Sequence, residues 1–222
     1  MQEPSILELD AIEAVPVEEQ NVIFRPNVGP QTEFLAAGER EVLYGGSAGG
    51  GKSYAMLADP LRYMGHSSFS GLLLRHTTEE LRELIFKSKE IYPQIWKGIK
   101  WSERKMQWEA PSGARLWMSY LDRDDDVLRY QGLAFSWIGF DELTQWSTPY
   151  AWNYMRSRLR SVAQDLPVYM RATTNPGGPG HQWVKKMFID PAPYGRSFNA
   201  TDIESGNVLS YPKGHSKAGQ AL

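Results

Sequence analysis

The sequence contains no cysteine. That absence excludes a disulfide framework, a cysteine-ligated zinc or iron–sulfur centre and a thiol nucleophile. Histidine occurs only four times, without metal-ligand spacing. No apolar run approaches the ~20 residues of a membrane span, and the first residues lack the basic-then-apolar pattern of a secretory leader. The expectation is a soluble protein in a reducing cytoplasm, with no membrane contact. Basic charge is also missing early: Glu3, Glu8, Asp10, Glu13, Glu18 and Glu19 all precede the first base, Arg25. Those acids mask a mildly basic remainder in a chain whose formal net charge is −2. Such a remainder permits nucleic-acid contact without demanding it.

What is present is globular. Hydrophobic residues are 41%, charged residues 23% and aromatic residues 12% of 222 residues, which suits one α/β domain with its own core. Residues 1–28 read as an acidic arm with a weak apolar stripe at Ile6, Leu9 and Ile12. Two readings stay open for it: a frayed, solvated tail, or an arm that packs on a neighbouring subunit.

From Pro30 strands and helices alternate. Strands are predicted at Glu41–Tyr44, Gly71–Leu74, Phe135–Phe140 and Val168–Ala172, and helices at Lys52–Tyr63, Glu79–Tyr92 capped by Thr78, Pro149–Arg160 and His181–Ile189. Met106–Glu109 and Arg115–Tyr120 flank Pro111-Ser112-Gly113 as a β-hairpin. Wholly apolar strands separated by helices imply an α/β fold with a mostly parallel sheet. Residues 29–190 form the expected domain, and 191–222, rich in Gly, Pro and Ser, read as a linker or incomplete subdomain.

The sharpest motif is Gly46-Ser47-Ala48-Gly49-Gly50-Gly51-Lys52-Ser53, which fits G-x-x-x-x-G-K-[ST] between a strand and a helix. Glycines let successive backbone N–H groups turn inward on an anionic phosphate at the helix N-terminus. Lys52 then reaches the outer phosphates of ATP, and the Ser53 hydroxyl ligates Mg²⁺. The strand Phe135–Phe140 delivers Asp141-Glu142 at its carboxyl end. Asp141 is the second candidate for Mg²⁺, and Glu142 the candidate that orients and polarises the attacking water. A kinase needs no such base; a motor ATPase does.

Further candidates follow from position. Thr173-Thr174-Asn175 ends the next apolar strand, where hydroxyls and an amide sense the γ-phosphate. Gln31, after Pro30 and before Phe34, carries an amide suited to an adenine edge. Arg75 leaves a strand at the same edge as a candidate for phosphate, Glu142 or DNA, with a surface salt bridge as the plainer reading. Arg129, upstream of the acidic pair, is a candidate arginine finger for a neighbour's ATP, with a local pairing to Asp124–Asp126 as the plainer reading. Arg156, Arg158 and Arg160 are alternative fingers or DNA contacts. Trp96, Trp101, Trp108 and Trp117 gather near the hairpin and read as core before base-stacking groups.

Together, Gly45–Ser53, Leu72–Arg75, Tyr130-Gln131-Gly132, Ile138–Glu142 and Thr173–Gly178 occur in an order that resembles the N-terminal ATPase domain of the large terminase subunit of tailed bacteriophages, over about residues 28–190. The resemblance implies an additional-strand P-loop fold, an adenine motif at Gln31, and a coupling motif at Thr173–Asn175. It implies a homo-oligomeric ring when active, a monomer in isolation, and ATP-driven pumping of double-stranded DNA through the portal protein into a procapsid in the host cytoplasm. It also implies a small terminase subunit as partner. The sequence departs from the family at two points. Some members carry an arginine inside the loop, where this chain has Ser47-Ala48. The family's C-terminal metal-dependent nuclease has no counterpart after Asp190, so nuclease activity is not expected. A helicase- or recombinase-like DNA-dependent ATPase is the alternative, and a nucleotide switch or kinase and a non-enzymatic DNA-binding module are the more distant ones.

Overall fold

The sheet is ordered by strands that are apolar on both sides. In the computed structural model, which describes residues 22–193, 196–199 and 218–221, nine strands form one sheet. They are β1 (Glu41–Gly45), β2 (Ser70–Arg75), β3 (Lys100–Ser102), β4 (Gln107–Glu109), β5 (Arg115–Tyr120), β6 (Trp137–Phe140), β7 (Tyr169–Thr174), β8 (Ser197–Asn199) and β9 (Ala218–Ala221). Their order is β3-β4-β5-β2-β6-β7-β1-β9-β8. Along that order pairing is parallel from β5 through to β9 and antiparallel at the β3–β4–β5 and β9–β8 ends. β7 stands between β1 and β6, which is the additional strand expected of this fold class. The expected hairpin is present as β4–β5, and β3 extends it to three antiparallel strands.

Alternating side chains divide the core between two faces. Val42, Leu73 and Trp137 point to one face, with Met56, Leu57, Leu81 and Leu84 from α2 (Lys52–Ala58) and α3 (Thr78–Ile95). Leu43, Leu72, Leu74 and Ile138 point to the other, with Trp152 and Val184 from α4 (Tyr150–Arg156) and α5 (His181–Val184). A parallel sheet must be covered on both sides, and this one is. α1 (Pro30–Ala36) starts with proline in its first turn, where no N–H is missed.

Several boundaries differ from the sequence reading. α2 stops at Ala58, and Asp59–Tyr63 continues as a 3₁₀ turn; Pro60 has no N–H to extend the α ladder. Thr77 rather than Thr78 caps α3, its hydroxyl accepting from Glu80 N at 3.3 Å while the Glu80 carboxylate accepts from Thr77 N at 3.4 Å. α4 ends at Arg156, because Leu159 bridges back to Phe135 in extended form. The sequence pattern marks no strand after Asp190, yet β8 and β9 lie there. Residues 1–21 of the acidic arm and most of 191–222 lie outside the described residues. Among the described residues no helix is long and apolar enough to cross a membrane.

Candidate active site

The site lies where β1, β2, β6 and β7 end together. Parallel register pairs Leu74 with Phe140, and Phe140 with Ala172. The next rung therefore aligns Arg75, Asp141 and Thr173, and Tyr44 on β1 pairs with Thr173. Strand ends at one level deliver side chains to one crevice.

The loop leaves β1 at Gly46. Gly51 caps α2 in the left-handed region at φ 74°. A Cβ there would also come within 2.6 Å of Gln31 Nε2, so two constraints require glycine. The Tyr44 hydroxyl donates to Gly50 O at 2.7 Å and braces the loop from beneath. Lys52 is buried, and its ammonium donates to Ser47 O at 2.7 Å and Gly46 O at 3.1 Å, spanning the loop's own mouth. A cleft of about 300 Å³ is lined by Ala48–Tyr54, Lys87, Glu142 and Asn175. The structure thus brings Lys52, Ser53, Glu142 and Asn175 to one cleft.

Asp141 is fully buried. Thr173 Oγ1 donates to its Oδ1, and Arg75 Nε stands 2.9 Å from its Oδ2. That second contact is ionic and poorly aligned, since Oδ2 accepts no hydrogen bond. Arg75, 8% exposed, also faces Glu80 Oε1 at 3.9 Å. The plainer reading of Arg75 as a surface salt bridge is therefore corrected: it is a buried counter-ion of Asp141.

Glu142 adopts φ 60°, ψ 55°, a left-handed conformation uncommon for a side chain of this size. It turns the carboxylate toward β7, where Oε1 accepts from Asn175 Nδ2 at 2.8 Å and Oε2 from Asn175 N at 3.2 Å. Its own N–H donates to Thr173 Oγ1 at 3.1 Å. Burial, and then the neighbouring Asp141 charge, raise its pKa above the ordinary carboxylate value, against Arg75, the Asn175 N–H and Lys52. Thr174 Oγ1 donates to Thr144 Oγ1 at 2.8 Å, so the two strand ends are tied at each of Thr173, Thr174 and Asn175.

Two expected site residues have other engagements. Both ends of the buried Gln31 amide are taken by the chain: Oε1 accepts from Asn27 N at 2.6 Å, and Nε2 donates to Gly51 O at 2.8 Å. Arg129 lies outside the cleft, donating to Tyr120 O at 2.7 Å and Asp126 O at 3.1 Å, with its guanidinium over the Tyr120 ring. The local pairing expected for it with the Asp124–Asp126 run is present at Asp126 Oδ1, 3.6 Å. Tyr44, Thr144 and Lys87 belong to the site without any sequence signal. Nothing in their local sequence marks them, since each reaches the site only through strand register or helix packing. Among the described residues no group of three or more His, Asp or Glu is placed to hold a metal.

A strand, a glycine loop gripping an N-terminal lysine, and an acidic pair two strands away with a third strand between define a P-loop nucleoside-triphosphatase fold. The family model described as phage terminase large subunit matches residues 39–210. The chain belongs to that family. Among solved structures it is similar to the large terminase of a thermophilic bacteriophage in complex with ADP (TM-score 0.54, 18% identity, 73% of this chain and 42% of that one). It is similar also to the same terminase in complex with ATP-γ-S (TM-score 0.53, 17% identity, 73% and 42%). The ATPase domain of the Thermus phage P74-26 large terminase aligns with a TM-score of 0.53 and 14% identity over 89% of this chain and 81% of that domain. These likenesses show the fold. The chain spans about two-fifths of the length of the thermophilic-phage terminase. No curated protein matches it.

Proposed function

We propose that this chain is the ATP-hydrolysing motor domain of a large terminase, with residues 29–190 as the ATPase unit, driving double-stranded DNA through a portal into a procapsid. One observation carries the reading: the Lys52-gripped loop and Glu142 face a single cleft, with Asp141 buried beside it, and Glu142 is tied through Asn175 to the end of the intervening strand. The ADP and ATP-γ-S complexes of the thermophilic-phage terminase support nucleotide as the ligand.

The loop N–H groups and Lys52 would bind phosphate. Glu142, held by two bonds from Asn175, would hold the attacking water and take its proton. Mg²⁺ suits Ser53 and Asp141, a hydroxyl and a carboxylate of the kind this ion takes beside phosphate; the buried Asp141 Oδ2, which accepts no hydrogen bond and has only the ionic contact with Arg75, fits that use. When bound, the ion supplies charge compensation to the phosphates. A change at the γ-phosphate would reach Thr173–Asn175 through Glu142, which makes that strand end the coupling element. Arg129, with its side chain 46% exposed, is the proposed finger across a ring interface, with portal and small subunit as partners in the host cytoplasm.

Lys52→Ala should abolish hydrolysis in a chain that remains folded by circular dichroism; wild-type turnover would end the reading. For the ring, Arg129→Ala subunits should regain turnover when mixed with Lys52→Ala subunits, which still carry Arg129. Absence of rescue, with a specific rate independent of concentration, would confine Arg129 to its own subunit.

A further inference from the structure

The far edge of the sheet carries a charge pattern that the nucleotide cleft does not use. Between residues 97 and 115 lie five cations, Lys97, Lys100, Arg104, Lys105 and Arg115, against two carboxylates, Glu103 and Glu109. All five cations are exposed. None forms a side-chain ion pair or hydrogen bond with the described residues. Glu103 is engaged by Lys89 of α3, and Glu109 accepts from Gln107 Nε2 at 3.3 Å.

The mounting is rigid. Lys100, Glu109 and Arg115 occupy one rung across β3, β4 and β5, while Trp101, Trp108 and Leu116 occupy the next and face the core. Directly opposed residues share a face, so Lys100 and Arg115 stand about 10 Å apart, two strand spacings, with Glu109 between them on the same face. The buried Trp108 indole donates to Ser88 Oγ at 3.0 Å and packs on Trp101 and Tyr92. The turn carrying Arg104 and Lys105 ends at Met106, held at φ 50°.

We infer that the outer face and turn of the β3–β4–β5 meander form a surface for the phosphate backbone of double-stranded DNA, which deepens the motor reading above and rests on it for the identity of the partner. Fixed, unpaired cations spread over about 10 Å match a duplex, which presents about six phosphate charges over that length. An acidic protein partner fits less well. Protein interfaces centre on apolar and aromatic groups and are poor in lysine, whereas none of the exposed large apolar side chains of the described residues belongs to this patch.

The test uses the full chain and a mixed-sequence duplex of about 30 base pairs, with binding followed by fluorescence anisotropy from about 50 to 300 mM salt, the range over which phosphate binding weakens steeply. The quadruple variant K100A/R104A/K105A/R115A should bind at least about tenfold more weakly at about 100 mM. It should also flatten the slope of log K against log salt by about 3–4, near 0.9 for each phosphate no longer neutralised. The control R82A/K185A removes two exposed cations elsewhere and should leave the slope unchanged. Nucleotide affinity and melting temperature, measured on every variant, should not move. An unchanged slope in the quadruple variant, or no duplex binding by the wild type at the lowest salt, overturns the inference. So does loss of polyglutamate binding with duplex binding intact, which would assign the face to an acidic protein. Duplex binding through this face by a chain that binds no nucleotide would instead remove the motor reading and leave the surface standing.

Discussion

Two regions of the sheet treat polar side chains in opposite ways. At the carboxyl ends of β1, β2, β6 and β7 they are buried or half-buried and bound to each other: Thr173 and Arg75 to Asp141, Asn175 to Glu142, Thr174 to Thr144. At the β3–β4–β5 edge the cations are exposed and unengaged, and burial is left to an aromatic bed beneath them. A buried network in low dielectric fixes geometry to a few tenths of an ångström, which chemistry requires. Exposed charges are screened and individually weak, which suits a partner that must be gripped and released.

The contrast can be broken from either side, starting with the largest effect. Glu142→Gln keeps the shape and removes the base, so hydrolysis should fall by about 10²–10⁴-fold with nucleotide affinity retained. A single-turnover assay beside equilibrium titration separates the two. If affinity collapses while turnover per bound nucleotide survives, the buried network is structural only. At the other edge, Trp108→Ala should cost about 3–5 kcal/mol in denaturant unfolding, the usual loss for a large core aromatic. It should leave nucleotide affinity of the folded fraction unchanged; a matched loss of affinity would mean that the two edges are not independent.

Asn175→Ala removes one bond to a charged acceptor, worth about 1.5–3 kcal/mol. If that bond holds Glu142 for catalysis, turnover should drop about ten- to a hundredfold with little change in nucleotide affinity, and Asn175→Asp should be no better, since it repels the same carboxylate. Equal turnover in wild type and Asn175→Ala would sever β7 from the chemistry. Smallest is Thr77→Ala, which deletes the cap of the helix that lies between the two regions. A loss of about 1 kcal/mol of stability is expected, read from thermal or denaturant unfolding, with hydrolysis and duplex binding both intact.

Much of the nucleotide site is legible in the sequence because its signals are local. Glycine spacing, Lys52 and Ser53 specify a loop whatever surrounds it, and an apolar strand running into Asp141-Glu142 reads the same way. The tie between Glu142 and Asn175 is not legible, since 33 residues separate them and only the β6–β7 register joins them. Arg75 shows the same limit: its candidates include Glu142, but the rung set by β2 and β6 gives it to Asp141. The end of the helix after Lys52 misleads for the complementary reason, and the bonds of Gln31 to Asn27 and Gly51 are equally absent from the local pattern. A polar amide beside a glycine loop can serve the loop as well as a ligand, and a proline near a helix end converts the last turn without removing it.

The sequence by itself determined the central strands and the helices between them, the phosphate loop and the acidic pair, since each rests on periodicity or on a backbone conformation that a few adjacent residues dictate. The tertiary structure alone decided which strand lies beside which. Parallel pairing joins segments distant in the chain, and its register follows from the burial of two apolar faces at once. That register chose the partners of Asp141 and Glu142, and the antiparallel return of β3, β4 and β5 gathered Lys100 and Arg115 on one rung while their tryptophan neighbours faced the core.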